Sequence, residues 1–460
     1  MVYMISKRIY IPIWSRVTAT FSILLFALYS PLHATERDEA AKMIERVETE
    51  YKASNLEFDA SKGLDHYLTY AALNNPGLRA AFYKWKAELK KVSEVSALPN
   101  PMFTYGYFIE KVETRVGPQN QRFALRQSFP WFGTLGNKGD IAWAASQAAY
   151  EKFRSARLKL YFDVKTAYYD YYYLGRQIRI TQDNADLLTF WESVARTKYK
   201  TATANHADVI RAQVELGKIE DELATLRDKQ TVLQARLRAA LNLPDSVAIA
   251  PPDSIQTIES PIPRDSVTHW IVAGNPHLKA LAFQIAKEES AVSLARKAWL
   301  PGFSIGVDYI ETGPALNPSM AESGKDPWMV SASINLPIWI GKNKAKVEAA
   351  QAGKLAAENQ LDQAENDLAE FGARVSFEYD DAVRKLRLYR DGLVPKAEEA
   401  LNASYAAYEA GQIGFIGLLD TQRQLLAFSL ELEAARTNSA KRLAELELIT
   451  DKELSNQDNR

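Results

Sequence analysis

The sequence, 460 residues long, contains no cysteine. That excludes disulfide staples, thiolate metal sites and a lipid-bearing N-terminal cysteine. Histidine is scarce too: His33, His66, His206, His269 and His277 are too scattered to suggest a zinc site. There is no basic excess. The formal charge is −1, and residues 1–34 hold Lys7, Arg8 and Arg16 without one acid, which leaves the remainder at −4. A nucleic-acid surface needs the opposite balance, so no nucleic-acid partner is expected. No nucleophile–base arrangement, phosphate loop or metal-ligand cluster stands out. The chain therefore reads as a non-enzyme without cofactor or metal. Long apolar runs are missing as well. The run from Val17 to Tyr29 is too short to cross a bilayer as a helix, and no later run approaches about 18 residues. A β-barrel is the one membrane-spanning form left open.

What is present begins with a secretory signal. Basic residues precede the Val17–Tyr29 apolar run, and Ser-Pro-Leu-His-Ala follows it. This predicts export, with cleavage after Ala34 and residues 1–34 removed. A membrane anchor is the other reading of the same segment.

The rest of the chain repeats itself. Asn75-Pro76 answers Asn275-Pro276, Leu98-Pro99 answers Leu300-Pro301, and Phe129-Pro130 answers Leu336-Pro337. Tyr199 and Gln213 answer Tyr408 and Gln422 at the same separation. The offsets of these four landmarks are 200, 202, 207 and 209, rising slowly as small insertions would make them. Each half reads as helix, strand, strand, long helix, helix. The expected layout is a collar segment at 35–64, a first repeat at 65–243, a Pro-rich linker at 244–264, a second repeat at 265–449 and a tail at 450–460.

Helix periodicity is plain in both halves. Ala149, Phe153, Ala156, Leu160, Val164, Ala167, Tyr171, Leu174 and Ile178 recur at steps of three and four, and Ala357, Leu361, Ala364, Leu368, Phe371, Val375, Tyr379, Ala382 and Leu386 repeat the pattern. Such a seam is that of coiled-coil packing. The tyrosines at 168, 169 and 171–173 belong to this packing and not to a binding box. Helices over Gly136–Thr201 and Gly341–Ala410 would each run about 100 Å at 1.5 Å per residue. Each matches the summed length of its two shorter neighbours, predicted over 65–97 and 206–242 in the first half. Gly392 and Pro395 should loosen the second long helix locally. Helices this long suit a tube that crosses the periplasm better than a globule.

The strands alternate. Phe103, Tyr105, Tyr107 and Ile109 oppose Thr104, Gly106 and Glu110, and Phe123, Leu125 and Phe129 oppose Arg122, Ala124, Arg126 and Ser128. In the second half Phe303, Ile305, Val307 and Tyr309 oppose Ser304, Gly306 and Asp308, while Trp328, Val330, Ala332, Ile334 and Leu336 oppose Ser331, Ser333 and Asn335. Strands are expected at about 102–110, 122–129, 303–311 and 328–336, each near the length of a tilted membrane-crossing strand. Four are too few to close a barrel, and an open edge in lipid is not tolerated. Several subunits must share one barrel in cyclic symmetry, unless the hairpins simply lie on a soluble core. Trp131 and Trp339, beside the prolines where strand becomes helix, read as membrane-interface aromatics, or else as ordinary packing. Residues 111–121 and 312–327 then form surface loops.

The ordered set of Leu-Pro before each hairpin, Phe-Pro or Leu-Pro after it, and the tip Tyr408-Glu-Ala-Gly411 resembles the TolC-like outer-membrane efflux family. The first tip, Tyr199-Lys-Thr-Ala202, lacks the glycine. The resemblance implies a mainly α fold with a β-barrel portion. It implies a homotrimer whose twelve strands form one transmembrane barrel in outer-membrane lipid, continued by a periplasmic α-helical barrel. The function implied is the exit duct of a tripartite pump, working with a periplasmic adaptor and an inner-membrane transporter. It also implies a periplasmic gate in which Asp208 and Tyr408 hold the tips at about 197–206 and 408–415, with Asp420 forming a pore-lining acidic ring. Ile413 and Gly417 depart from gate positions that are charged in some members. Read from the residues alone, Asp208 could equally be a helix N-cap, Asp420 a solvated acid and Tyr408 seam packing. Ser128–Gly133 and Leu98–Pro101 resemble the branch paired with heavy-metal exporters, although Met102 and Met329 on the polar register make no metal path. A type I protein-secretion outlet of the same fold and a periplasmic coiled-coil scaffold are the rival readings.

Overall fold

The structure, a computed structural model, describes residues 34–53, 56–317 and 319–454. The proposed signal segment, apart from Ala34, and the end of the tail lie outside these residues. Helix α1 spans Ala34–Ala53. Then follow α2 (Leu64–Asn74), α3 (Pro76–Ser96), β1 (Met102–Thr114), β2 (Gly117–Phe129), α4 (Thr134–Lys200) and α5 (His206–Leu241). The same order recurs as α6 (Arg264–Gly274), α7 (Pro276–Arg296), β3 (Phe303–Thr312), β4 (Trp328–Ile334), α8 (Ile340–Leu388), α9 (Val394–Glu409) and α10 (Phe415–Thr450). The chain groups into two compact units, one taking residues up to Arg46 with Lys84–Ala149 and Leu281–Gln360, the other Val47–Tyr83, Tyr150–Ala280 and Leu361–Arg460.

The first unit holds one antiparallel sheet in the order β1-β2-β3-β4. Register sets the faces. Tyr105, Phe123, Tyr309 and Trp328 lie in one lateral row, and Phe103, Leu125, Val307 and Val330 in the next. The opposite face carries Thr104, Ala124, Asp308 and Met329, then Met102, Arg126, Gly306 and Ser331. The period-two pattern thus becomes one apolar and one polar surface. The first hairpin departs from expectation. Residues 111–114 and 117–121 are strand, not loop, and only Arg115-Val116 turn the chain, with an irregularity between Tyr107 and Val112. Gly117, at φ 133°, presses against the following loop, where an added Cβ would come within 1.8 Å of the Gly313 carbonyl oxygen. The loop closes over this turn through Gly313 N–H to Pro118 (2.7 Å) and Gly324 N–H to Val116 (2.7 Å).

The second unit is helical. Its core follows the seam: Phe153, Leu160, Val164, Ala167, Tyr171 and Leu174 of α4 are buried, as are Ala364, Val375, Tyr379, Ala382 and Leu386 of α8. Asn-Pro does more than punctuate. The single helices expected before each hairpin are two helices each, broken at Asn75 and Asn275. The α region is disfavoured for a residue before proline, and both asparagines are extended, at ψ 121° and 119°. Each also works with its side chain. Asn75 Oδ1 accepts from Leu78 N–H (3.0 Å) while its Nδ2 donates to the Ala240 carbonyl (3.0 Å). Asn275 repeats this with Leu278 N–H (3.2 Å) and the Ile449 carbonyl (2.8 Å). Two equivalent asparagines therefore cap one helix and bind the C-terminal end of another.

Matching tyrosines pin the linker. Tyr171 Oη donates to the Ile249 carbonyl at 2.7 Å, and Tyr379 Oη to the Ile258 carbonyl at 2.9 Å. Gly392 and Pro395 loosen the second long helix as expected: Tyr389–Leu393 form a π-helical turn between α8 and α9. Proline has no N–H to donate one turn back, and the wider turn absorbs the gap. Polar pairs join α4 to α10 along their length: Lys165 with Glu447, Asp170 with Lys441, Tyr172 and Arg176 with Glu433, and Asn184 with Gln422.

Candidate functional site

Two features stand apart from ordinary packing: the sheet faces and the two helix-tip turns. On the sheet the apolar face is the exposed one. Phe103, Tyr105, Tyr107, Leu125, Ile305, Val307, Trp328, Val330 and Ile334 are all solvent-exposed in the single chain. Exposed apolar rows of this extent need lipid or a partner to cover them. Leu336, Ile338, Trp339 and Ile340 extend the exposed patch beyond β4, with Trp339 69% exposed. Trp131 is half-buried against Phe132, ring centroids 5.8 Å apart. Both tryptophans sit where a long helix starts, and their carbonyls accept from Thr134 N–H (3.0 Å) and Asn343 N–H (3.1 Å).

The turns at 201–205 and 410–414 share one core. Leu188 and Trp191 of α4, Ala212 and Ile219 of α5, Leu401 and Tyr408 of α9, and Phe415 and Leu418 of α10 form a single buried cluster. The turns are built alike. Ala202 N–H reaches the Tyr199 carbonyl (3.0 Å) and Thr203 N–H that of Lys198 (2.8 Å), as Gly411 reaches Tyr408 (3.1 Å) and Gln412 reaches Ala407 (2.8 Å). The residue that must turn left-handed is Gly411 at φ 74° in one and Ala202 at φ 58° in the other. The alanine pays about 1 kcal/mol there, the Cβ penalty glycine avoids.

Tyr408 is 4% exposed, and its hydroxyl is a buried polar atom without a hydrogen-bond partner among the described residues. Burial pushes its phenol above the usual range, and nearby Asp208 adds to the shift. No hydrogen bond joins the two gate candidates. Asp208 does not cap α5. Asn205 holds the N-cap position, and Asp208 pairs with Arg211 one turn on, at 3.1 Å. Asp420 is exposed, 3.5 Å from Arg423. Ile413 packs against the core cluster, with its side chain beside Gly417.

Three contacts at the tips escaped sequence reasoning. Lys198 Nζ donates to the carbonyls of Tyr408 (3.2 Å) and Glu409 (2.8 Å), tying one turn to the other. Glu215 of α5 receives Arg423 of α10 at 2.6 Å, which holds its carboxyl below the usual glutamate range. Glu192 of α4 accepts from Gln213 of α5 at 2.9 Å, and the Arg196 bond lowers its carboxyl as well. Charges far apart in sequence give no local signal of pairing.

The model of the family described as "Outer membrane efflux protein" matches residues 68–243 and 269–450, well over half the chain. The chain belongs to the outer membrane efflux protein family. The two matched stretches correspond to the two runs of elements described above. Nodulation protein T of Rhizobium leguminosarum bv. trifolii is 22% identical over 379 residues, 78% of each chain. Outer membrane protein OprJ of Pseudomonas aeruginosa is 26% identical over 307 residues, covering 64% of this chain and 61% of its own. The solved outer-membrane channel OprN superposes with a TM-score of 0.73 at 17% identity, over 85% of this chain and 90% of that one. This efflux protein is therefore an outer-membrane channel component whose fold is that of the TolC-like channels.

Proposed function

We propose that the protein is the passive exit duct of a tripartite efflux system, assembled as a homotrimer that pools twelve strands in one barrel. In this reading the chain comprises a signal peptide at 1–34, a collar at 35–64, two repeats at 65–243 and 265–449, a Pro-rich linker between them and a tail at 450–460. The observation that carries this reading is the sheet. Four strands expose a continuous apolar face and leave β1 and β4 as unpaired edges. In lipid every backbone group must be paired, and three copies joined edge to edge achieve that. A soluble scaffold would have no use for the exposed rows. Trp131 and Trp339 would sit at the membrane interface. An adaptor and an inner-membrane transporter, the partners with which family members work, supply energy and opening.

Topology is directly testable. The loop over 313–327 is expected to face the cell exterior, and Ala321 and Glu322 are exposed within it. An epitope inserted between these two residues should be labelled by antibody on intact cells. Labelling that requires a permeabilised outer membrane would contradict the duct.

The gate is proposed at the two turns, with Asp208 and Tyr408 between helix pairs and Asp420 lining the entrance. Acid should loosen it. Glu215 and Glu192 have folded-state values below the unfolded ones, so their clamps stabilise the tips above the ordinary glutamate range and fail as pH falls through the depressed values. Conductance in planar bilayers should therefore rise reversibly as pH is lowered from about 5 to about 3. Glu215→Gln should raise the pH 7 value and flatten the profile. A profile identical to that of the parent would remove Glu215 from the gate.

A further inference from the structure

Away from the loop ends, where Glu110, Lys111, Glu113 and Glu311 stand, the strands over residues 102–109, 121–129, 303–310 and 328–335 contain three charged side chains: Arg122, Arg126 and Asp308. All three lie on the polar face. Arg126 stands between Met102 and Gly306, Ala124 stands opposite Asp308, and Arg122, Ala124 and Arg126 alternate along one face of β2. Asp308 is spent locally. It is 1% exposed, it accepts from Arg122 Nε at 2.8 Å and from a second guanidinium nitrogen, and Ser331 Oγ lies 3.5 Å away. Arg122 and Asp308 cancel.

Arg126 is left over. Among the described residues no acid is paired with it, and its lateral neighbours offer no charge. The site is open for its side chain because Gly306 has none: a Cβ there would lie 3.5 Å from Arg126 Nε and 2.8 Å from Ser331 Oγ. A neighbouring subunit cannot neutralise it by strand pairing either. The free edges are β1 and β4, whereas β2 is flanked on both sides by strands of its own chain.

We propose that Arg126 is a selectivity-determining residue of the pore, forming a cationic belt on the barrel bore. The belt favours solutes bearing carboxylate, phosphate or sulfonate groups and disfavours free metal cations. This rests on the trimeric-barrel reading, which places the polar face toward the bore and repeats the charge around it. Unpaired charges of one sign lining a low-dielectric-walled passage concentrate counter-ions, over a longer range at low salt. It also runs against the heavy-metal leaning of the sequence motifs, at least for substrates crossing as bare cations.

The test is the reversal potential of purified channels in planar bilayers under a KCl gradient at low ionic strength. Asp420→Ala serves as the background, so that the proposed acidic ring does not mask the belt. Arg126→Gln should lower the chloride-over-potassium permeability ratio by about threefold, Arg126→Glu should lower it further, and Arg126→Lys should retain it. Equal ratios in all three conducting variants would overturn the belt while leaving the duct intact. A parent protein that forms no pore at all would instead overturn the duct reading and the belt with it. Elution of each variant at the parent's detergent-complex mass separates lost selectivity from lost assembly.

Discussion

Replacing Asp208 by alanine and Tyr408 by phenylalanine together should raise the resting conductance of the channel by about tenfold. A hydrogen bond to a charged group contributes roughly 1.5–3 kcal/mol net, and about 1.4 kcal/mol is tenfold in an opening equilibrium. The two side chains are not bonded in the single chain, so the proposed catch has to form when the tips meet. Tyr408 is buried in the tip core with its hydroxyl unpartnered, close enough to Asp208 to feel its charge. A buried hydroxyl without a partner is costly, so a small shift that brings the two together is favourable. Lys198, bonded to the Tyr408 and Glu409 carbonyls, should reinforce the catch, and Lys198→Ala in the double variant should open it further. Because the chain has no cysteine, Asp208→Cys with Tyr408→Cys can be cross-linked without background thiols. Absent cross-linking together with unchanged conductance would remove both residues from the gate.

Glu433→Ala should be strongly damaging to the helical unit, destabilising it by about 3–5 kcal/mol. Glu433 is 3% exposed and accepts from Tyr172 Oη at 2.7 Å, from Arg176 at 3.2 Å and from Arg436 at 3.1 Å. Removing it strands two guanidinium groups beside a buried phenol. Glu433→Gln keeps an acceptor and should cost less, and Glu433→Ala with Arg176→Met should recover part of the loss. Thermal unfolding followed by circular dichroism in detergent reads all three. A Glu433→Ala midpoint within a degree or two of the parent would mean that this cluster does not join α4 to α10.

Much of this architecture was legible because it rests on periodicity. The period-two runs set both sheet faces, and the register keeps Phe103, Tyr105, Tyr107, Phe123, Leu125, Phe129, Phe303, Ile305, Val307 and Tyr309 on one side. The long helix expected at Gly136–Thr201 is Thr134–Lys200, since small and apolar residues recur along it without interruption. Two local features misled. Lys111–Gln121 looks like a loop because it is polar, yet its backbone pairs between β1 and β2, and Gln119 and Gln121 pair with β3 as well, which needs no apolar side chain. Asn75 and Asn275 looked like landmarks inside helices, while the restriction imposed by the following proline makes them breaks and their amides make them ties. At the tips, the residue types were visible but their partners were not. Lys198 with the Tyr408 carbonyl, and Glu215 with Arg423, lie some 200 positions apart and meet only because the helices fold back.

The mass of the detergent-solubilised mature protein tests the shared barrel most directly. Light scattering corrected for bound detergent should give three times the mass of the mature chain, and the complex should persist on dilution, since each subunit's edge strands are closed only by its neighbours. A homogeneous, folded particle with the mass of a single chain would contradict the account.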